Sequence, residues 1–386
     1  MFASRMVLRK PVWFLVRALV ILAMIFSVLP VAPVLAQASA PTIVSPEVGE
    51  GGVVTFRYYA PDATKVQLYI EAGRNDLGAM CYGPAGWPMY DMTKDTEGVW
   101  SYTLTLEPNL YNYHFTVTGA DGEPVNVFDP NNPTWDPAGI NSQAWVPGEA
   151  VAWVGPQDVP HGKLKVITYH SAATGTDRPL AIYTPPDYGK NSRTYPTLYL
   201  SHGAGGNHID WTTQGAANNI IDNLIAQKKI RPMVVVMTNF YGLPDGADAY
   251  RLDLINSVIP AVEARYKVNR NPDQRAFGGL SMGAMYASNI LMKSPGAFGF
   301  YGIWSGSIFS PDDPGFNNPL VYDRRGIFIS IGARDFLYDM SMAGMAALDA
   351  HDVSYQSLIT PGDCHTWYFW RESLYDFLTT MAFKVN

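Results

Sequence analysis

Ser281 stands in R-A-F-G-G-L-S-M-G-A-M-Y, between Gly279 and Gly283, where a short apolar run passes into a helix-like stretch. A serine hydroxyl becomes a nucleophile only when a base takes its proton, and a G-x-S-x-G turn between strand and helix is one way of presenting it. The glycines meet a steric need, because a side chain at either would collide with the neighbouring strand or helix. In this arrangement the carboxylate follows the serine and the histidine comes last. Only His351 and His365 lie beyond Ser281. His351, in A-L-D-A-H-D-V, is placed like the end of a helix, where a cation meets the helix dipole and needs no other role. His365, in G-D-C-H-T-W-Y-F-W-R, follows the strand-like S-Y-Q-S-L-I-T and a turn, and is read as the base. I-F-I-S-I-G-A-R-D puts Asp335 just past a buried run and makes it the carboxylate. Asp339, one helical turn on, competes with it, and an N-cap is the bland reading of either.

Acyl transfer also needs donors for the developing oxyanion. The amide of Met282, directly after the nucleophile, is one. T-L-Y-L-S-H-G-A-G-G-N supplies a second from an early strand end, where Gly203, Gly205 and Gly206 free the backbone to turn inward; Ala204 is the expected donor. His202 there is read as fixing the loop. No lysine follows in phosphate-loop spacing, so the glycines do not read as a nucleotide cradle. No cofactor is required by this chemistry. With two cysteines, the chain has no Cys-cluster metal site either.

The elements that must position these groups differ along the chain. From Thr42 to Val127, V-V-T-F-R-Y-Y, K-V-Q-L-Y-I, W-S-Y-T-L-T-L and Y-N-Y-H-F-T-V alternate with period two between turn signals, the pattern of an immunoglobulin-sized β-sandwich. A Pro/Gly/Asn-rich stretch follows and is read as a linker. From Lys163 on, the apolar runs T-L-Y-L, M-V-V-V-M, A-F-G-G-L and I-F-I-S-I alternate with helix-like stretches. Ile255, Val258, Ile259 and Val262 form one helical face, bent at Pro260. Buried strands alternating with helices predict a doubly wound, mostly parallel α/β sheet with its site at the strands' carboxyl ends. The expected layout is 1–38 leader, 41–130 sandwich, 131–162 linker and 163–386 α/β hydrolase.

The leader expectation rests on Arg5, Arg9, Lys10 and Arg17, then A-L-V-I-L-A-M-I-F-S-V-L, then Ala36, Ala38 and Ala40, the order of a secretory signal peptide. The chain is thus expected to be secreted, extracellular or periplasmic. A net charge of −7 disfavours nucleic acid as a partner, and a hydrophobic fraction of 47% is enough to fill real cores. Cys81 and Cys364 are either a bonded pair or two small buried hydrophobes. A bond requires Cα atoms within about 7 Å, which would bring the loop around Cys81 beside the base and make the first region part of the substrate wall.

Y-T-P-P-D-Y (Tyr183 to Tyr188), L-Y-L-S-H-G-A-G-G with Asp210-Trp211, G-L-S-M-G, I-G-A-R-D and H-T-W-Y-F-W-R together resemble the esterase-D-like α/β hydrolases. The resemblance is to carbohydrate esterase family one in particular, which contains feruloyl and acetylxylan esterases. It implies Ser281, Asp335 and His365 as triad, Ala204 and Met282 as oxyanion hole, and feruloyl or acetyl esters on plant cell-wall xylan as substrate. There are two departures from that family: Ala284 stands where a glycine is common, and Asp363-Cys364 where glycines are usual. Trp211, Trp304, Trp367 and Trp370 are expected to line a phenolic acyl pocket or to pack the core. F-R-Y-Y-A-P-D-A and M-T-K-D-T-E-G-V-W-S resemble the immunoglobulin-like module related to glycogen-binding domains, whose glycan-stacking candidates here are Trp87, Trp100 and Tyr113. The alternatives are an acyltransferase of the mycolyl-transferring branch, an enterobactin-type siderophore esterase, and a non-catalytic glycan-binding protein. The siderophore enzymes act inside the cell, which the leader argues against.

Overall fold

A computed structural model describes residues 41–71, 89–132, 141–190, 192–244 and 246–385. The leader expected at 1–38, Cys81 and Trp87 lie outside the described residues.

Period-two alternation produces two facing sheets. Their strands are β1 (Glu47–Val48), β2 (Val53–Tyr59), β3 (Lys65–Ile70), β4 (Met89–Asp91), β5 (Thr93–Lys94), β6 (Val99–Thr105), β7 (Asn109–Thr118), β8 (Pro124–Val127) and β9 (Ser142–Val146). One sheet runs β1-β2-β6-β5; the other runs β4-β3-β7-β8, with β9 pairing the first half of β7. Every second residue points inward, so Val54, Phe56, Val66, Leu68, Tyr113 and Phe115 are fully buried between the sheets. Tyr113 and the largely buried Trp100 belong to this core, so neither presents a ring to a glycan; core packing won over surface stacking.

The stretch expected to be a linker does more than connect. Its β9 completes a sandwich sheet, and the carbonyls of Trp153 and Gly155 accept from Asn223 Nδ2 at 3.0 and 2.9 Å. Its prolines and glycines break the periodicity that would have revealed a strand of only five residues.

The second region is an eight-stranded sheet: β10 (Lys163–Ser171), β11 (Thr176–Thr184), β12 (Thr197–Ser201), β13 (Val234–Thr238), β14 (Arg275–Leu280), β15 (Phe300–Trp304), β16 (Gly326–Gly332) and β17 (Gln356–Thr360), in the order β10-β11-β13-β12-β14-β15-β16-β17. β10 and β11 are antiparallel and β11 runs antiparallel to β13; the pairs from β13 to β17 are parallel. Helices α1 (Asp210–Thr213), α2 (Ala217–Ala226), α3 (Ala247–Asp253), α4 (Ile259–Arg265), α5 (Met282–Lys293), α6 (Tyr338–Ala350) and α7 (Trp367–Asp376) cover it. The parallel strands β12 to β15 are apolar almost throughout because both faces are covered. This is the α/β-hydrolase fold behind an immunoglobulin-like sandwich. At Pro260, which has no N–H to donate, a π turn over Leu254–Val258 precedes α4 and absorbs the break.

The two regions share cores. Tyr368 of α7 packs into the sandwich core 5.9 Å from Tyr111, while Phe369 and Leu374 of the same helix are fully buried in the hydrolase core. Leu110 of β7 and Val154 enter the hydrolase core in turn.

Candidate active site

β14 ends at Leu280 and α5 begins at Met282, so Ser281 alone makes the turn. Its φ of 53° and ψ of −120° lie where residues with a Cβ are strained, and its amide is tied to the Trp304 carbonyl at 2.9 Å. The flanking glycines are required: a Cβ at Gly279 would sit 2.3 Å from the Gly283 carbonyl oxygen, and one at Gly283 2.5 Å from the His202 carbonyl oxygen. The turn thus projects the hydroxyl off the sheet's carboxyl edge.

Two more strand ends deliver its partners. His365 follows β17 and precedes α7, and its Nε2 lies 2.9 Å from Ser281 Oγ. Asp335 follows β16, and its Oδ2 lies 2.8 Å from His365 Nδ1. A carboxylate only accepts, so Nδ1 carries the proton and Nε2 is left to accept from the serine. Asp335 Oδ1 is held by the Leu337 amide at 2.8 Å, and the carboxylate side chain is fully buried. The two loops are pressed together: the Arg334 amide donates to the Asp363 carbonyl at 3.0 Å, and a Cβ at Gly332 would meet that oxygen at 2.3 Å. Asp339 is exposed on α6, and His351 caps that helix, stacked on Phe316 at 3.9 Å with Nε2 donating to the Pro311 carbonyl. Neither joins the site.

The loop after β12 faces the serine. The Gly205 amide donates to Tyr241 Oη at 2.7 Å and the Gly206 amide to the Gly203 carbonyl at 3.2 Å, which leaves the Ala204 amide without a protein acceptor among the described residues. Met282, first in α5, has an amide that no intrahelical carbonyl can reach. His202 anchors the loop from beneath, with Nδ1 2.7 Å from the Gly203 carbonyl, Nε2 3.1 Å from Asn239 Oδ1 and its ring stacked on Phe240 at 4.0 Å. Burial pushes its pKa down to about 4, so it is neutral near neutrality.

Ser281 and His365 open into a cleft of about 520 Å³ with two kinds of wall. Leu280, Phe336, Trp367 and Trp370 form an apolar, mostly aromatic side, and Phe336 and Trp370 also flank the His365 ring at 4.4 and 4.9 Å. Gln214, Tyr69, Asn112 and Asn141 form an amide-rich side, the last three from the sandwich and the strand-bearing stretch after it. Asn141 Nδ2 donates to Gln214 Oε1 at 2.8 Å, and Asn112 Oδ1 accepts from Gln143 Nε2 at 3.1 Å. Cys364, beside the histidine, is disulfide-bonded and buried.

Of the tryptophans expected at an acyl pocket, Trp367 and Trp370 line the cleft. Trp211 and Trp304 do not: they are 1% and 0% exposed, edge to face at 5.3 Å in the core. Trp211 works from behind, donating Nε1–H to the Ser201 carbonyl at 3.0 Å at the root of the Ala204 loop. The amide wall is not legible in the sequence because its members lie in four distant segments; no spacing links Tyr69, Asn112 and Asn141 to Gln214.

Residues 171–381 match the putative esterase family, and residues 43–132 match carbohydrate-binding module 48, the isoamylase N-terminal domain. An endo-1,4-beta-xylanase/feruloyl esterase of Xylanibacter ruminicola is 30% identical over 352 residues, 85% of this chain and 44% of that protein, so the chain spans under half of its relative's length. Among solved structures, the feruloyl esterase module of Clostridium thermocellum superimposes with a TM-score of 0.55 at 22% identity, covering 61% of this chain and 93% of that one. The enterobactin esterase of Shigella flexneri gives 0.60 at 19% identity over 84% of this chain and 92% of that one. At these identities the two structures share the fold.

Proposed function

We propose that this chain, which belongs to the putative esterase family, is an exported serine esterase that removes feruloyl groups from plant cell-wall xylan, with acetyl groups as the second acyl class. The observation that carries the reading is the hydrogen-bonded series Asp335–His365–Ser281, opening into a cleft with one aromatic and one amide wall. An ester of a phenolic acid with a sugar has the same two halves. The xylanase/feruloyl esterase likeness supports the substrate class, and the order of charges and apolar residues in 1–38 supports export. The units of this reading are the leader, a sandwich at 41–130 carried on through β9, and the hydrolase at 163–386.

Ser281 Oγ attacks the ester carbonyl while His365 Nε2 takes its proton; the amides of Ala204 and Met282 hold the oxyanion. Asp335 keeps the His365 Nδ1–H oriented and stabilises the imidazolium. His365 then returns the proton to the departing sugar oxygen, leaving an ester on Ser281. Water, deprotonated by the same imidazole, attacks that ester and releases the acid and the free serine. The aromatic wall takes the phenolic ring and the amide wall the sugar hydroxyls.

Comparing methyl ferulate, a feruloylated arabinoxylan oligosaccharide and 4-nitrophenyl acetate tests the assignment. The two ferulates are expected to have the higher kcat/KM. Release of acetate with no release of ferulate would move the substrate class to acetyl esters, and activity on none of the three would remove the reading.

A further inference from the structure

The groups that this chemistry needs arise on separate loops: Ala204 after β12, Ser281 after β14 and His365 after β17. β14, β15 and β16 stand between β12 and β17, so no direct strand pairing sets the first loop against the last. One side chain reaches past both. Arg371, on α7 just beyond His365, is 0% exposed. Its Nε and Nη2 donate to the Gln214 carbonyl at 3.1 and 2.6 Å, at the end of α1, which follows the Ala204 loop. Its Nη1 donates to Leu110 O at 2.6 Å and to Glu71 Oε1 at 2.8 Å, both in the sandwich.

Glu71 is held as tightly. Oε1 also accepts from the Asn112 amide at 2.8 Å, and its own amide donates to the Asn112 carbonyl at 2.9 Å. Burial pushes the Glu71 carboxyl up, against the pull of Arg371 and the Asn112 amide. An ion pair this deep is a poor source of net stability, since desolvating both charges offsets their attraction. Its geometry suits another use, because a planar guanidinium fixes direction as well as distance. The sandwich is held in the same place by packing, with Tyr368, from the turn of α7 before Arg371, in its core.

We propose that Arg371 is a positioning residue: paired with Glu71, it clamps the sandwich against α1 and α7 and so fixes the His365 loop relative to the Ala204 loop. This rests on the esterase reading, since base and oxyanion donor must be in register only if both act on one carbonyl. Arg371 touches no reacting atom. Its effect falls on the transition state, where misplacement by about 1 Å costs about 10²-fold. The sandwich is accordingly part of the catalytic unit.

The test uses the full chain with Arg371→Lys, which keeps the charge and loses the fork, and Glu71→Gln, which keeps the shape and loses the charge. For each, kcat and KM are measured per titrated active site with methyl ferulate and 4-nitrophenyl acetate, together with the rate at which a fluorophosphonate labels Ser281. Folded Arg371→Lys is expected to lose about 10²-fold in kcat on both esters with KM within about twofold, and to label correspondingly slowly. Unchanged kcat in the folded variant, or a loss confined to KM, overturns the proposal. Should Arg371→Lys fail to fold, Glu71→Gln decides: about a tenfold loss in kcat supports the clamp, and wild-type kcat overturns it. Should the wild type cleave neither ester, the esterase reading falls, and the labelling rates alone judge the positioning role.

Discussion

The two walls of the cleft are built in opposite ways. On the hydrolase side each proposed reactive group sits on its own strand end, held by backbone contacts from within that domain: the Trp304 carbonyl at the end of the neighbouring strand β15 for Ser281, the Leu337 amide for Asp335. On the sandwich side no group is reactive, and each is held by partners remote in sequence, such as Asn141 by Gln214 and Glu71 by Arg371. Contacts within one domain suffice where a strained turn must be reproduced to a fraction of an ångström. Contacts between domains are what a second domain has to offer, and they bring the sandwich to the edge of the proposed site.

The sharpest break between the walls is in turnover. Ser281→Ala or His365→Ala is expected to lower kcat by about 10⁶, because the three groups act as a unit; a loss under about tenfold in either would remove the hydrolase wall from the chemistry. Asp335→Asn is expected to cost about 10⁴ through the wrong imidazole tautomer, while Asp339→Asn, exposed on α6, leaves kcat within about twofold. The reverse result would mean that the carboxylate is misassigned.

Stability separates the walls next. Burial lowers the pKa of His202 from the ordinary 6.5 to about 4. The unfolded chain therefore binds a proton in this interval that the folded one does not, and stability present above pH 6.5 is lost as pH falls toward 4. The loss amounts to about 3 kcal/mol at most. Urea midpoints measured across this range are expected to fall more steeply for the wild type than for His202→Gln; parallel curves would show that the loop under Ala204 does not carry the penalty.

The smallest effect belongs to the sandwich wall. Asn141→Ala is expected to lower the ratio of kcat/KM for a feruloylated oligosaccharide to that for methyl ferulate by about tenfold, the worth of one or two hydrogen bonds to sugar. An unchanged ratio would make the amide side a scaffold with no part in recognising the alcohol.

What could be read from the sequence follows the same division. Ser281, Asp335 and His365 each carry a local signature, a strand-like run ending in a small-residue turn, and chain order supplies the assignment among them. β2, β3, β6 and β7 are legible from alternation, because a half-buried strand writes its two faces into successive residues. Trp211 and Trp304 are not separable from Trp367 by such means: all are aromatics near the site, and only the tertiary fold decides which faces solvent. Arg371 and Glu71 leave a faint trace, a charge inside an aromatic helix and a charge just past an alternating strand, but nothing in either segment names the other. β9 was obscured by the prolines and glycines around it.

The most direct measurement is to mix the protein with methyl ferulate, quench in acid within the first turnovers and examine the peptide containing Ser281 by mass spectrometry. A feruloyl group on Ser281, formed at a rate no slower than kcat and absent from Ser281→Ala, is the expected result. Continued release of ferulate by a protein in which Ser281 stays unmodified and Ser281→Ala remains active would contradict it.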